Sequence, residues 1–185
     1  MSIGKRPSYA WDSCTFISSL TKQGRSPEEL RDLCAVEKLA DDGDCVILTP
    51  SITLVEVLAC KMTLEHEQAF KDMLQRSNVT VVSVTPRIAE KAREIRDYYA
   101  SKGMNIAVPD SIHLATAVHY GATELHTYDG GGRRSRPTDL LRLESPLIEK
   151  WNLKVCKPAP PPIIIDPAEE LPEPAMQSLF AGFDD

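Results

Sequence analysis

The chain has 185 residues, 42% hydrophobic and 26% charged, the composition of one soluble globular domain with enough apolar material to bury a core. Five cysteines, Cys14, Cys34, Cys45, Cys60 and Cys156, fall without a CxxC pair and several lie in apolar runs, which argues against a disulfide framework or a zinc site and for small hydrophobes in a reducing cytosol. The formal net charge is −6, but it is unevenly spread: residues 157–185 hold six acids against Lys157 alone, leaving the body close to neutral. No run approaches the ~20 apolar residues of a membrane span, and the first twelve residues carry no long apolar stretch, so the expected location is the cytoplasm.

In chain order, Ser8 to Asp12 reads as a strand ending in an acid, with Ser13 as the expected N-cap of a helix to about Leu20. Ser26-Pro27-Glu28-Glu29 opens a second helix with Leu30, Leu33, Val36 and Leu39 inward, ending at Asp41-Asp42-Gly43. A strand over 45–48 is followed by a helix bearing Ile52, Leu54, Val55, Glu56 and Leu58. Thr63 caps the next helix to about Gln75, Val79 to Ser83 is a third strand, and Thr85-Pro86 begins a long helix to about Ser101. An Ala-rich helix then carries Asp110 in its first turn and ends at Gly121, a plausible C-cap, before a strand over 124–127 and a last strand over 153–156. This alternation predicts a three-layer α/β/α fold with a central, mostly parallel sheet of four to five strands. Residues 1–156 form the expected domain. Residues 157–185, rich in proline and acids, read as an extended tail ending in a short apolar pattern around Leu179, Phe180 and Phe183.

Four acids stand out by placement. Asp12 ends the first strand, Glu56 lies one turn into the helix after the second, Asp110 starts a helix, and Asp129 follows a late strand. In a parallel α/β sheet all four positions fall at the carboxyl edge of the strands, where open α/β folds bind ligands. Each has a local alternative: a helix-cap neighbour, an exposed helix residue, a helix-dipole residue and half of an Asp-Gly turn. Glu56 lies among apolar neighbours, where a lone carboxylate is costly to bury unless something compensates its charge. Clustered carboxylates suit Mg²⁺ or Mn²⁺ rather than zinc, whose nitrogen and sulfur ligands show no grouping in the sequence. Such ions assist attack of water on a phosphodiester.

With these residues in view, the sequence resembles the PIN-domain nucleases, and among them the VapC-type toxins of toxin–antitoxin modules. The resemblance spans roughly residues 8–156. It rests on Tyr9-Ala10-Trp11-Asp12-Ser13, Pro50-Ser51-Ile52-Thr53-Leu54-Val55-Glu56-Val57, Pro109-Asp110-Ser111-Ile112-His113-Leu114-Ala115-Thr116-Ala117 and Thr127-Tyr128-Asp129. It implies a PIN-like fold and a metal-dependent endoribonuclease in which Asp12, Glu56, Asp110 and Asp129 bind Mg²⁺ or Mn²⁺. Ser13 and Thr127 would be supporting hydroxyls; the charge pattern, apart from the resemblance, makes Arg133, Arg134 and Arg136 either a solvated loop or phosphate contacts beside the site. The resemblance also implies a small antitoxin partner and a homodimer. Two features depart from the family pattern: Gly130-Gly131-Gly132-Arg133-Arg134 follows Asp129, with Asp139 as an auxiliary candidate ligand, and the acidic tail is long.

Two other readings stay open on the residues alone. One is a catalytically weak or inactive PIN-fold module that binds RNA or protein. The other is a phospho-acceptor domain of receiver type, which would require adjacent acids near the first strand, whereas Ser13-Cys14 follows Asp12. His113 reads first as a packed, hydrogen-bonded residue and only second as a site contact; His66, His119 and His126 share no metal-ligand spacing. Lys91, Arg93 and Arg96 form a second basic cluster, which reads as a solvated helix face or as phosphate contacts. No GxSxG, P-loop or GxGxxG is present.

Overall fold

A computed structural model describes residues 6–58, 62–130 and 138–161. The chain runs β1 (Ser8–Trp11), α1 (Ser13–Thr21), α2 (Pro27–Asp41), β2 (Val46–Pro50), α3 (Ile52–Leu58), α4 (Leu64–Leu74), β3 (Val79–Val82), α5 (Pro86–Ala100), α6 (Val108–Tyr120), β4 (Glu124–His126), a 3-10 turn (Leu140–Arg142), α7 (Glu144–Trp151) and β5 (Lys154–Cys156). Side-chain caps start the helices where the sequence places Ser, Thr or Asp. Ser26 and Glu29 close a reciprocal capping box on α2, and Thr63 and Thr85 accept from the third helical N–H of α4 and α5. Gly121 ends α6 at φ 66°, a left-handed conformation open to glycine at little cost. At α1 the cap is Asp12 and not Ser13: the Asp12 carboxylate accepts from Thr15 N, and Ser13 is the first helical residue.

The five strands are all parallel and lie in the order β3-β2-β1-β4-β5. The expected α/β/α architecture holds. One core packs α5, α6 and α7 against Ala10, Leu125 and Val155 on one face, and the other packs α1, α2 and α4 against Tyr9, Trp11, Ile47 and Val79. Alternation along each strand sorts the two sets, so Tyr9 and Trp11 point one way and Ala10 the other. From β1 the chain winds outward through β2 to β3, then returns to place β4 on the opposite side of β1. The boundary between β1 and β4 is therefore the switch point at which doubly wound sheets open a crevice.

Two differences from the sequence reading have physical causes. Leu140, Leu143 and Leu147 recur at three- and four-residue spacing and are fully buried, which produces the 3-10 turn and α7, absent from the sequence reading. Helix α3 buries only one side of its apolar sequence, packing Thr53 and Val57 inward while Val55 is 69% exposed and Leu58 42%. The bases of α5 take the first of their two readings, a solvated helix face: Lys91 pairs with Glu94, Arg93 with Asp97 in the open, and Arg96 Nε donates to the Ile106 carbonyl. Arg133, Arg134, Arg136 and the chain beyond Pro161 lie outside the described residues.

Because Leu147 anchors α7 in the core, Leu147→Ala is expected to cost about 3 kcal/mol of unfolding free energy. Urea denaturation checks this; a loss below about 1 kcal/mol would detach α7 from the core.

Candidate active site at the carboxyl edge of the sheet

Asp12 leaves β1 at the switch point, is 3% exposed, and has both carboxylate oxygens engaged. Oδ1 accepts from Thr15 N at 2.8 Å, and the Thr15 hydroxyl lies 2.9 Å from Oδ1 and 2.9 Å from the His126 carbonyl, so its single proton is shared between the two. Oδ2 accepts from the Thr127 hydroxyl, which in turn accepts from Asp129 N at 2.9 Å. Thr127 thus ties the acid after β1 to the acid after β4. Burial pushes the Asp12 carboxyl above its ordinary range, opposed by His113 and by the bonds from Thr127 and Thr15.

Asp129 is held as firmly. Its Oδ2 accepts from Leu140 N at 3.0 Å and its carbonyl from Leu141 N at 3.1 Å, so the 3-10 turn fastens the segment despite the glycines that follow. The Leu141 side chain packs over Gly130, where an added Cβ would lie 2.7 Å from Leu141 Cδ1 and would have to turn that methyl aside. Burial raises the Asp129 carboxyl, and Asp139, the residue before the turn, adds to the rise against the Leu140 bond.

Helix α6 runs antiparallel to the strand it feeds, so its first turn brings Asp110 to the same edge. Its carboxyl is pushed up to about 7, first by burial, then by the negative charge of Asp129, with Asp12 and Glu56 adding to it and His113 opposing. One turn along the helix, His113 is 1% exposed and its Nε2 lies 2.8 Å from Glu56 Oε2. The compensator of Glu56 among the described residues therefore includes a histidine, and both halves of the His113 reading hold: it is packed, and it touches a site acid. Cys14 reports the same crowding, its thiol driven up to about 12 by burial and then by Asp12, Asp129 and Asp110.

The four predicted acids thus lie at one edge of the sheet, near enough that Asp12, Glu56 and Asp129 all raise Asp110. Thr127 lies there as well, whereas Ser13 forms no side-chain hydrogen bond among the described residues and Thr15 takes the supporting place expected of it. Thr15 shows in the sequence only as the third residue after a capping acid. Among the described residues no Lys or Arg forms an ion pair with Asp12, Asp110 or Asp129. Asp12 is buried and Glu56, Asp110 and Asp129 are half-buried, and their oxygens are the donors that a hard divalent ion takes, although no three of the four acids lie as close together as ligands of one ion in this structure. Elsewhere the structure corrects the expectation that nitrogen and sulfur ligands are ungrouped: Glu124, His126 and Cys156 meet across β4 and the edge strand β5.

The PIN domain family model matches residues 24–134. The chain belongs to the PIN domain family, the nuclease family that its acid pattern resembles. Solved structures share the fold at low identity. VapBC2 from Rickettsia felis, bound to a promoter DNA fragment, aligns at TM-score 0.54 and 18% identity over 80% of this chain and 96% of that one. FitAcB from Neisseria gonorrhoeae aligns at 0.50 and 16%, over 81% and 97%. A search of curated proteins finds no match.

The raised Asp110 carboxyl has a thermodynamic consequence. Its pKa is near 7 folded and near 4 unfolded, so the folded state binds the proton more tightly; the stabilisation is complete below pH 4 and lost as pH rises through 7. In metal-free buffer at pH 8, Asp110→Asn is expected to be more stable than the native chain by on the order of 2–4 kcal/mol, an advantage that fades toward pH 4. Chemical denaturation at the two pH values measures it; an Asn variant no more stable at pH 8 would contradict the crowding.

Proposed function

We propose that this PIN-domain protein is a metal-dependent endoribonuclease acting as the toxin of a toxin–antitoxin pair. The observation that carries the reading is the convergence of four carboxylates, with Asp12 and Asp110 raised by burial and no Lys or Arg pairing with Asp12, Asp110 or Asp129 among the described residues. Asp12, Asp110 and Asp129 would hold Mg²⁺ or Mn²⁺, and Glu56 would add a ligand or hold the attacking water. Such an ion activates water, neutralises charge developing on the phosphate and steadies the leaving oxygen.

The chain's own residues supply the order. Thr15 and Thr127 fix both oxygens of Asp12, and the backbone of Leu140 fixes Asp129, so these acids are aimed before any ion arrives. His113 sets the rotamer of Glu56 from the helix that carries Asp110. Without an ion, the Asp110 carboxyl holds its proton up to about pH 7. Arg133, Arg134 and Arg136, which follow Asp129 in the chain, would hold the phosphates of single-stranded or looped RNA.

The toxin assignment draws on the resemblance of the acid motifs around Asp12, Glu56 and Asp110 to the VapC-type toxins, and the fold shared with VapBC2 is consistent with it. It also draws on apolar side chains exposed on the helix that carries Glu56: Val55, 69% exposed, and Leu58, 42%. Exposed apolar groups at the rim of a charged site suit a small antitoxin that covers it, or the second copy of a homodimer. Among the described residues no helix is long and apolar enough to cross a membrane.

Incubation of a labelled structured RNA with the protein and Mn²⁺, Mg²⁺ or EDTA tests the reading. Cleavage is expected with either ion, none with EDTA, and a loss of about 100-fold or more in Asp110→Asn. RNA bound but never cut would replace the nuclease with a binding module. His113→Ala is expected to lower the metal-supported rate by about 10–100-fold, with partial recovery in His113→Gln, whose amide can still donate to Glu56. Equal rates in all three proteins would remove His113 from the site.

A further inference from the structure

Strand β4 and the edge strand β5 pair in parallel with Glu124 opposite Lys154 and His126 opposite Cys156. Alternation sends Leu125 and Val155 into the core beneath α7, and leaves Glu124, His126, Lys154 and Cys156 together on the other face. There Glu124 Oε2 accepts from both sides: His126 Nε2 lies 2.9 Å away and Cys156 Sγ 3.4 Å away. Carboxylate oxygen, imidazole nitrogen and sulfur all fall within 4.8 Å of one another.

We propose that Glu124, His126 and Cys156 form a second metal site, separate from the four acids and built for a zinc-type cation. Nitrogen and thiolate ligands with a single carboxylate select Zn²⁺ over Mg²⁺, which wants an oxygen cage. Zinc bonds of about 2.0–2.3 Å at tetrahedral angles place ligand atoms roughly 3.3–3.8 Å apart, so side-chain movements of about an ångström would seat the ion. Three ligands leave the fourth position to water.

The surroundings favour this arrangement. The Tyr9 ring stacks on His126 with centroids 4.6 Å apart and an interplanar angle of 23°, which fixes the imidazole plane. Lys154 Nζ binds Glu124 Oε1 at 2.9 Å, turning Oε2 toward the ion and offsetting one of the two negative charges that the carboxylate and thiolate bring. His126 is fully buried while Glu124 and Cys156 are half-buried, so an ion has a way in from solvent. On binding, the Cys156 thiol gives up its proton, and His126 offers its Nε2 lone pair with the ring proton on Nδ1. The ion would clamp the three-residue edge strand β5 to β4. It would also brace the acid site, because the His126 carbonyl accepts from the Thr15 hydroxyl and the next residue, Thr127, holds Asp12.

Cobalt(II) titration of the full chain in saturating Mg²⁺ tests this without reference to activity. A thiolate-to-cobalt absorption band in the near ultraviolet, with the visible bands of four-coordinate cobalt, is expected in the native chain, in Asp110→Asn and in Cys34→Ser. It is expected to vanish in Cys156→Ser and on adding one equivalent of Zn²⁺. No band, or one that survives in Cys156→Ser, would overturn the proposal. Alkylation followed by peptide mass analysis uses the native chain alone: Zn²⁺ is expected to protect Cys156 while exposed Cys34 labels unchanged. Equal labelling of Cys156 with and without Zn²⁺ would also overturn it.

Discussion

Thr127 donates to the Asp12 carboxylate and accepts from the backbone N–H of Asp129, so one hydroxyl ties the acid that ends β1 to the segment that carries the acid after β4. This bridge exists because β1 and β4 are neighbours although more than a hundred residues separate them, with Trp11 in register with His126. Everything at the site leans on that pairing. Thr15 reaches the His126 carbonyl only because α1 begins where β1 ends, and the 3-10 turn reaches Asp129 only because the chain doubles back after β4.

Like charges in a buried crevice are a cost that the fold carries and does not relieve. Hydrogen bonds from Thr15, Thr127 and Leu140 stabilise individual carboxylates, and His113 opposes the charge at Asp110, yet the net direction at Asp12, Asp110 and Asp129 remains upward. Native proteins tolerate such unpaired charge at sites that bind something of opposite sign. A divalent ion fits the oxygen-only donor set, and the ordered hydroxyls limit what must rearrange when it arrives.

Much of this was legible in the chain. Ser26-Pro27 with Glu29, Thr63, Thr85-Pro86 and Gly121 mark helix ends by capping chemistry that acts within a few residues, and the structure keeps them. All five strands stand within a residue or two of their expected places, because short β-branched runs between turn signals leave little choice. Asp12, Glu56, Asp110 and Asp129 were visible because topology alone sends them to one edge. What stayed hidden needed contacts across the fold. Thr15 is an ordinary helix residue until Asp12 caps that helix, and His113 meets Glu56 across 57 positions of sequence. Glu124, His126 and Cys156 become neighbours only once β5 takes its register on β4. Leu140, Leu143 and Leu147 carry helical spacing, but the segment is too short for that spacing to outweigh a loop until its leucines meet the core.

The central claim, four crowded carboxylates awaiting a divalent ion, is tested most directly by carbon-13 NMR titration of the Asp110 carboxyl with and without Mg²⁺. A midpoint near 7 in metal-free buffer that falls well below it on adding Mg²⁺ is the predicted result. A carboxyl that titrates in the ordinary aspartate range near 4 and ignores Mg²⁺ would contradict the account.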